Sequence, residues 1–145
     1  MKISTKGKNA IKIMLELGIY YGSDPVKLKD IARRQNISEK YLEQIISTLL
    51  KATLVKSIRG KDGGYVLKYP PEKYTVGQIL KIAEGDMAPT DCVSDLGGNC
   101  ENKGVCVSYR LWKKLDDAID DVLEGITLAD MLEWQTELQV NQYVI

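Results

Sequence analysis

The chain has 145 residues, 44% hydrophobic and 28% charged, a balance that fits one folded domain or one domain with an appendage. No apolar run approaches the ~18 residues of a membrane span, and the opening Met1-Lys2-Ile3-Ser4-Thr5-Lys6 lacks the apolar core of a signal peptide, so no membrane partner and a cytoplasmic location are expected. The net charge of zero conceals a division: residues 1–68 carry 14 Lys and Arg against 6 Asp and Glu, and residues 69–145 carry 6 against 14, so a half that attracts polyanions is joined to one that repels them.

The chain order predicts a mostly α fold with one small β-hairpin. Residues 4–22 read as a helix, with Ala10, Met14, Leu17 and Tyr21 at i, i+4, i+7 and i+11, closed by Gly22-Ser23-Asp24-Pro25. Leu28, Ile31 and Ala32 mark a short second helix to about Arg34. After the turn Asn36-Ile37-Ser38, Ser38 is placed to cap a third helix whose face is Leu42, Ile45, Ile46, Leu49 and Leu50. Two β-rich runs, 54–59 and 65–68, flank the glycine-dense turn 60–64 and predict a hairpin.

Pro70-Pro71 breaks the chain where its charge changes sign. Thr75-Val76-Gly77-Gln78 has the capping-box pattern and opens a helix to about Glu84. Residues 85–107 read as a loop rich in Gly, Asp and Asn that carries every cysteine, and from Ser108 a long amphipathic helix runs to Gly125. Its stripe is Leu111, Leu115, Ala118 and Val122, widened by Trp112, Ile119 and Leu123, with Asp116, Asp117, Asp120 and Asp121 off it. Thr127-Leu128-Ala129-Asp130 caps a last helix to about Leu138. Three segments follow: 1–69, a winged helix-turn-helix DNA-binding domain; 70–107, a short helix and cysteine-containing sensor loop; and 108–145, a dimerisation helix and C-terminal helix.

Helix, short turn and helix followed by a hairpin is the winged helix-turn-helix pattern, in which one side of the third helix packs and the other meets base edges. Ser38, Lys40, Tyr41, Glu43 and Gln44 on that helix, with Arg59 and Lys61 at the wing, are the expected contacts to double-stranded DNA, and Arg33-Arg34 near the turn adds positive charge. The long stripe either packs back on its own domain or pairs with a second chain. Because readers of this kind commonly bind two half-sites, a homodimer through Leu111, Leu115, Ile119 and Val122 on a pseudo-palindromic operator is expected.

Cys92, Cys100 and Cys106 follow the pattern C-x7-C-x5-C. Clustered cytoplasmic thiols, odd in number, argue against structural disulfides. The spacing is too wide for a structural zinc site and suits a loop wrapped around an iron–sulfur cluster, the alternative being free thiols that react with oxidants. The chain contains no histidine, no nucleophile–base pair and no phosphate loop, so it is not expected to be an enzyme.

Met1-Lys2-Ile3-Ser4-Thr5-Lys6-Gly7, Ser38-Glu39-Lys40-Tyr41-Leu42-Glu43-Gln44, Ser57-Ile58-Arg59-Gly60, Gly63-Gly64-Tyr65 and Thr127-Leu128-Ala129-Asp130 resemble the bacterial family of winged-helix regulators that includes IscR, NsrR and CymR. The resemblance covers essentially the whole chain and implies a homodimer joined through the long helix. It also implies an iron–sulfur cluster on Cys92, Cys100 and Cys106, with 2Fe–2S favoured over 4Fe–4S because the five-residue second gap is IscR-like. IscR-type members take a fourth ligand from a histidine at the position of Tyr109, and NsrR-type members from an aspartate at the position of Lys8. The candidates here are Asp91, Asp95, Glu101, Tyr109 or an exogenous group. The expected function is a transcription repressor whose DNA binding is modulated by the cluster, controlling cluster-biogenesis or cysteine and iron genes. The alternatives are a nitric-oxide- or redox-responsive regulator of the same family and a cluster-carrying protein-interaction module.

Overall fold

The computed structural model describes residues 2–97 and 100–143; the ends of the expected segments at Met1 and Ile145, and Gly98-Asn99 within the cysteine loop, lie outside the described residues. Helix α1 (Thr5–Ile19) starts at Ser4, whose Oγ accepts the Gly7 N–H at 3.1 Å. Ala10, Ile13, Met14 and Leu17 form its buried stripe. Tyr21, expected to continue that stripe, lies beyond the helix in an exposed turn, because the chain already reverses through Tyr21 N–H to Gly18 O and Ser23 N–H to Tyr20 O.

Helix α2 (Leu28–Gln35) ends on Asn36 in the left-handed conformation (φ 53°), which tolerates asparagine. Ser38 then opens α3 (Glu39–Lys51) by accepting the Tyr41 N–H at 3.2 Å. Leu42, Ile45, Ile46 and Leu49 are buried and Leu50 half-buried. Burying each such side chain stabilises the fold by roughly 1.5–3 kcal/mol.

Strands β1 (Val55–Ile58) and β2 (Gly64–Leu67) pair antiparallel, Val55 opposite Leu67 and Ile58 opposite Gly64. Val26 joins the hairpin through two backbone hydrogen bonds with Tyr65, at 3.0 and 2.8 Å. A Cβ on Gly64 would stand 2.5 Å from the Val26 carbonyl oxygen, so the approach requires glycine. The buried Tyr74 hydroxyl donates to Leu54 O at 2.6 Å and accepts from Tyr69 N at 2.9 Å, fixing the base of the wing.

After a 3₁₀ turn at Pro71–Lys73, Thr75 caps α4 (Val76–Glu84) by accepting the Gln78 N–H at 3.0 Å. The cysteine segment contains a second 3₁₀ turn, Asp91–Val93, and leads into α5 (Val107–Gly125). Helix α6 (Leu128–Tyr143) runs five residues past its expected end. Thr127 and Asp130 exchange side-chain-to-backbone hydrogen bonds at 2.9 and 3.0 Å, a reciprocal capping box at its start. Leu128 is fully buried in the same core as α1, α3, Tyr74 and Ile79, and Leu128 N–H donates to Tyr74 O at 2.9 Å. None of the described helices is long and apolar enough to cross a membrane.

Candidate DNA interface and cysteine loop

The outward face of α3 carries Glu39, Lys40, Glu43 and Gln44, all exposed, while Ser47 is half-buried. Tyr41 divides its ring between solvent and the core, and the Ser38 hydroxyl serves as the cap. Ile58, Arg59, Gly60, Lys61 and Asp62 stand exposed around the wing tip. Helix face and tip thus offer the donors and acceptors that groove contacts need.

The two arginines before the turn have different surroundings. Arg33 is exposed and pairs with Asp30 at 3.5 Å. Arg34 instead turns inward. Its Nε and Nη2 donate to the Glu16 carboxylate at 3.1 and 2.9 Å, and its guanidinium stands 5.7 Å over the Tyr20 ring. The hydrogen bond to Glu16 holds the Arg34 pKa above its ordinary value. Gln35 Nε2 adds a bond to Glu16 Oε1 at 2.9 Å. Of the pair expected to supply charge to DNA, Arg34 is therefore engaged by Glu16, although its side chain stays partly open to solvent. Glu16, 7% exposed, was not anticipated from the sequence, although it falls on the buried side of α1 between Ile13 and Leu17.

The broad stripe expected on α5 resolves into two. Trp112, Asp116, Ile119, Asp120 and Leu123 form a half-buried face, through which α5 leans on α4 and the 3₁₀ turn at Asp91–Val93. Leu111, Leu115, Ala118 and Val122 form a separate, exposed face; Leu111 is 57% and Val122 59% accessible. Ile119 is half-buried and lies where the two faces meet. Asp116 and Asp120, expected off the stripe, lie on the inner face too. Lys81 of α4 accounts for Asp120, bonding it and Glu124 at 3.2 Å each. Burial lowers the Lys81 pKa, but those hydrogen bonds outweigh it and the net shift is upward. Burial and the neighbouring Asp120 push the Asp116 carboxyl up.

Cys92 sits in the 3₁₀ turn, Cys100 in the loop and Cys106 at the N-cap of α5; all three are half-buried free thiols. Among the described residues, no three Cys, Asp or Glu side chains are gathered as a metal site. Of the expected fourth ligands, Asp91, Asp95 and Glu101 are exposed, and Tyr109 is half-buried with Lys103 Nζ 5.6 Å over its ring. Lys8 lies on the exposed side of α1. An open cleft of about 480 Å³ beside Cys106 is lined by Tyr109 and by Lys103, Arg110, Lys113 and Lys114, which are four of the six cations in residues 69–145.

A helix-turn-helix with an exposed polar reading face, a hairpin wing and a strongly basic N-terminal half define a winged-helix transcription regulator. The family described as Rrf2, iron-dependent transcriptional regulator, matches residues 3–134, and the chain belongs to it. A relative from Bacillus subtilis (strain 168), HTH-type transcriptional regulator CymR, is 42% identical over 134 residues, covering 92% of this chain and 91% of the relative. The solved structure of CymR, described as the global cysteine regulator of B. subtilis, aligns with a TM-score of 0.78 at 41% identity, over 92% of this chain and 98% of that one. T. potens IscR aligns with a TM-score of 0.78 at 42% identity, over 96% and 91%. The relatives are named as regulators and not as enzymes, in agreement with the absence of catalytic motifs.

Proposed function

We propose that the chain is a homodimeric repressor whose grip on a pseudo-palindromic operator changes with the state of Cys92, Cys100 and Cys106. The observation that carries this is the position of the three thiols: the loop holding them joins α4, packed on the DNA-binding core, directly to α5, whose exposed apolar face awaits a partner.

The donor set fits an iron–sulfur cluster in its chemistry: three soft thiols on one loop, beside four cations and the positive end of the α5 dipole. Cys92, Cys100 and Cys106 would hold the cluster, 2Fe–2S favoured over 4Fe–4S. Bound there, it supplies a labile redox centre that cross-links the loop. The loop's ordering then biases how two winged domains are set on the dimer, and a difference of about 1–3 kcal/mol in DNA affinity suffices for a switch.

A second copy fits the exposed face of α5. Arg110, Lys113 and Lys114 lie toward its start and Asp117, Asp121 and Glu124 toward its end, so antiparallel pairing sets unlike charges together around Leu111, Leu115 and Val122. The two copies of α3 would then reach half-sites ~34 Å apart. Ser38, Lys40, Tyr41, Glu43 and Gln44 meet the major groove, and Arg59 and Lys61 the backbone or minor groove. Cluster-biogenesis or cysteine and iron genes are the targets that similarity to IscR and CymR supports.

Anaerobic reconstitution with iron and sulfide, followed by iron counting and gel shifts, tests the reading. Wild-type protein should take up both, a triple Cys→Ala variant neither, and only wild type should change its operator affinity on loading. The cluster reading is overturned if wild type binds no iron. A second reading, direct thiol chemistry without a cluster, is supported by three half-buried free thiols that are not gathered as a metal site among the described residues, and by the likeness to CymR. It requires the same operator response on thiol oxidation of iron-free protein.

A further inference from the structure

We propose that Glu84 is the positioning residue through which the cysteine loop acts on the DNA-binding half, an inference that rests on reading residues 85–107 as a sensor. Glu84 is the last residue of α4, and Gly85, at φ +85°, begins the loop. Glu84 Oε1 accepts both the Ser4 N–H, at 3.0 Å, and the Ser4 hydroxyl, at 2.6 Å. The same Ser4 Oγ accepts the Gly7 N–H and so starts α1. The contact is close enough that a Cβ on Gly7 would stand 2.1 Å from Glu84 Oε1. The carboxylate also lies at the positive end of the α1 dipole, where negative charge is favoured.

On the loop side the connection is equally short. Cys92 is two residues from Ser94, whose hydroxyl donates to Asp86 Oδ2, and Asp86 is two residues from Glu84. Asp86 Oδ1 also accepts the Ala88 N–H at 2.9 Å, and the buried Met87 pins this corner. A change in the loop that opens the Asp86–Ser94 clasp therefore acts first on the last turn of α4, and so on Glu84.

On the DNA side, α1 is one uninterrupted 15-residue helix. Glu16 stands twelve residues beyond Ser4, about 18 Å along the axis at 1.5 Å per residue. There it holds Arg34 and Gln35, the last residues before the Asn36 turn into α3. Two carboxylates thus tie the ends of one rigid helix: Glu84 to the loop and Glu16 to the helix-turn-helix.

The test perturbs the loop without relying on a cluster. The cysteines of iron-free full-length protein are alkylated with N-ethylmaleimide, and amide exchange at Gly7 and Lys8 is measured with operator affinity. In wild type, alkylation should speed exchange at these amides and weaken operator binding, each by about tenfold, within the usual range of coupling between sites. In Glu84→Ala these amides should exchange quickly beforehand, and alkylation should move neither reading. Glu84→Gln keeps a hydrogen-bond acceptor and should restore part of the response. A purely structural role would lower stability in the variants but leave the ratio between alkylated and unmodified protein intact. The proposal is overturned if Glu84→Ala responds as fully as wild type, or if alkylation of wild type leaves α1 exchange unchanged. Absence of iron after reconstitution would remove the cluster reading, and the alkylation response would still decide the part played by Glu84.

Discussion

The Arg34 guanidinium reaches back from the end of α2 to the Glu16 carboxylate in α1, Nη2 to Oε2 at 2.9 Å, and ties the approach to α3 to the first helix. Glu16 is almost wholly buried, whereas the Arg34 side chain keeps 36% of its surface accessible, so solvent offsets part of what is lost when the pair is broken. Glu16→Gln retains the shape and one acceptor but removes the charge. It should lower stability by about 1–3 kcal/mol in urea unfolding and weaken operator binding at conditions where the protein stays folded. Unchanged unfolding would show that the pair contributes nothing net.

Exposed polar side chains on α3 and the wing lead to separable DNA effects. Arg59→Ala should cost roughly 1–3 kcal/mol of operator affinity, the scale of one specific contact. Gln44→Ala should cost a similar amount only where its base partner is adenine, the base that glutamine pairs with through two hydrogen bonds. Lys61→Ala should weaken specific and non-specific DNA alike and reduce the salt slope. Titrations against operator and random duplex at two salt concentrations distinguish these outcomes.

For the exposed seam of α5, Leu111→Asp with Leu115→Asp places two charges in the proposed apolar interface. Sedimentation should then give monomers that retain helix content but lose cooperative operator binding. Ile119→Asp strikes the inner face instead and should destabilise the fold itself. If the double variant sediments as a dimer, the seam lies elsewhere.

Asp116 provides a pH test. Burial and its acidic neighbour raise its folded pKa, so the ionised form opposes folding. Its contribution is most favourable below the unfolded carboxylate pKa and is lost as pH rises through the folded value. Asp116→Asn should therefore raise the melting temperature at pH 7, and the gain should vanish once the pH falls below the ordinary carboxylate range. A gain that persists in acid would assign the effect to something other than charge.

Local signals carried most of the secondary structure. Ser38, Thr75 and Thr127 cap helices where their residue types and spacing indicated, because capping depends on atoms three residues apart. The hairpin was legible for the same reason. Glu84 with Ser4 was not: their hydrogen bond joins residues 80 apart, and neither belongs to a periodic pattern. On α5, periodicity merged two stripes because Trp112, Ile119 and Leu123 adjoin the exposed set on the helix surface, and only the position of α4 separates them. For Arg34, the sequence supplied a cation near the turn but not the buried acid that claims it.

The placement of Leu128 bears on how the molecule is made. Its side chain completes the same core as Ala10, and its backbone bonds Tyr74. Contacts so distant along the chain delay folding, because the intervening segment must be ordered before they form. During synthesis, then, a nascent chain ending before α6 lacks one side chain of the core around α1, and the helices and wing are expected to form before that core closes. Emergence of the helix-turn-helix from the ribosome is therefore not expected to complete the DNA-reading unit, because one residue of its core is encoded beyond the cysteines and beyond α5. A message truncated between α5 and α6 should yield a product that exposes apolar surface and is removed by proteolysis, and not a constitutive DNA binder that has lost its sensor.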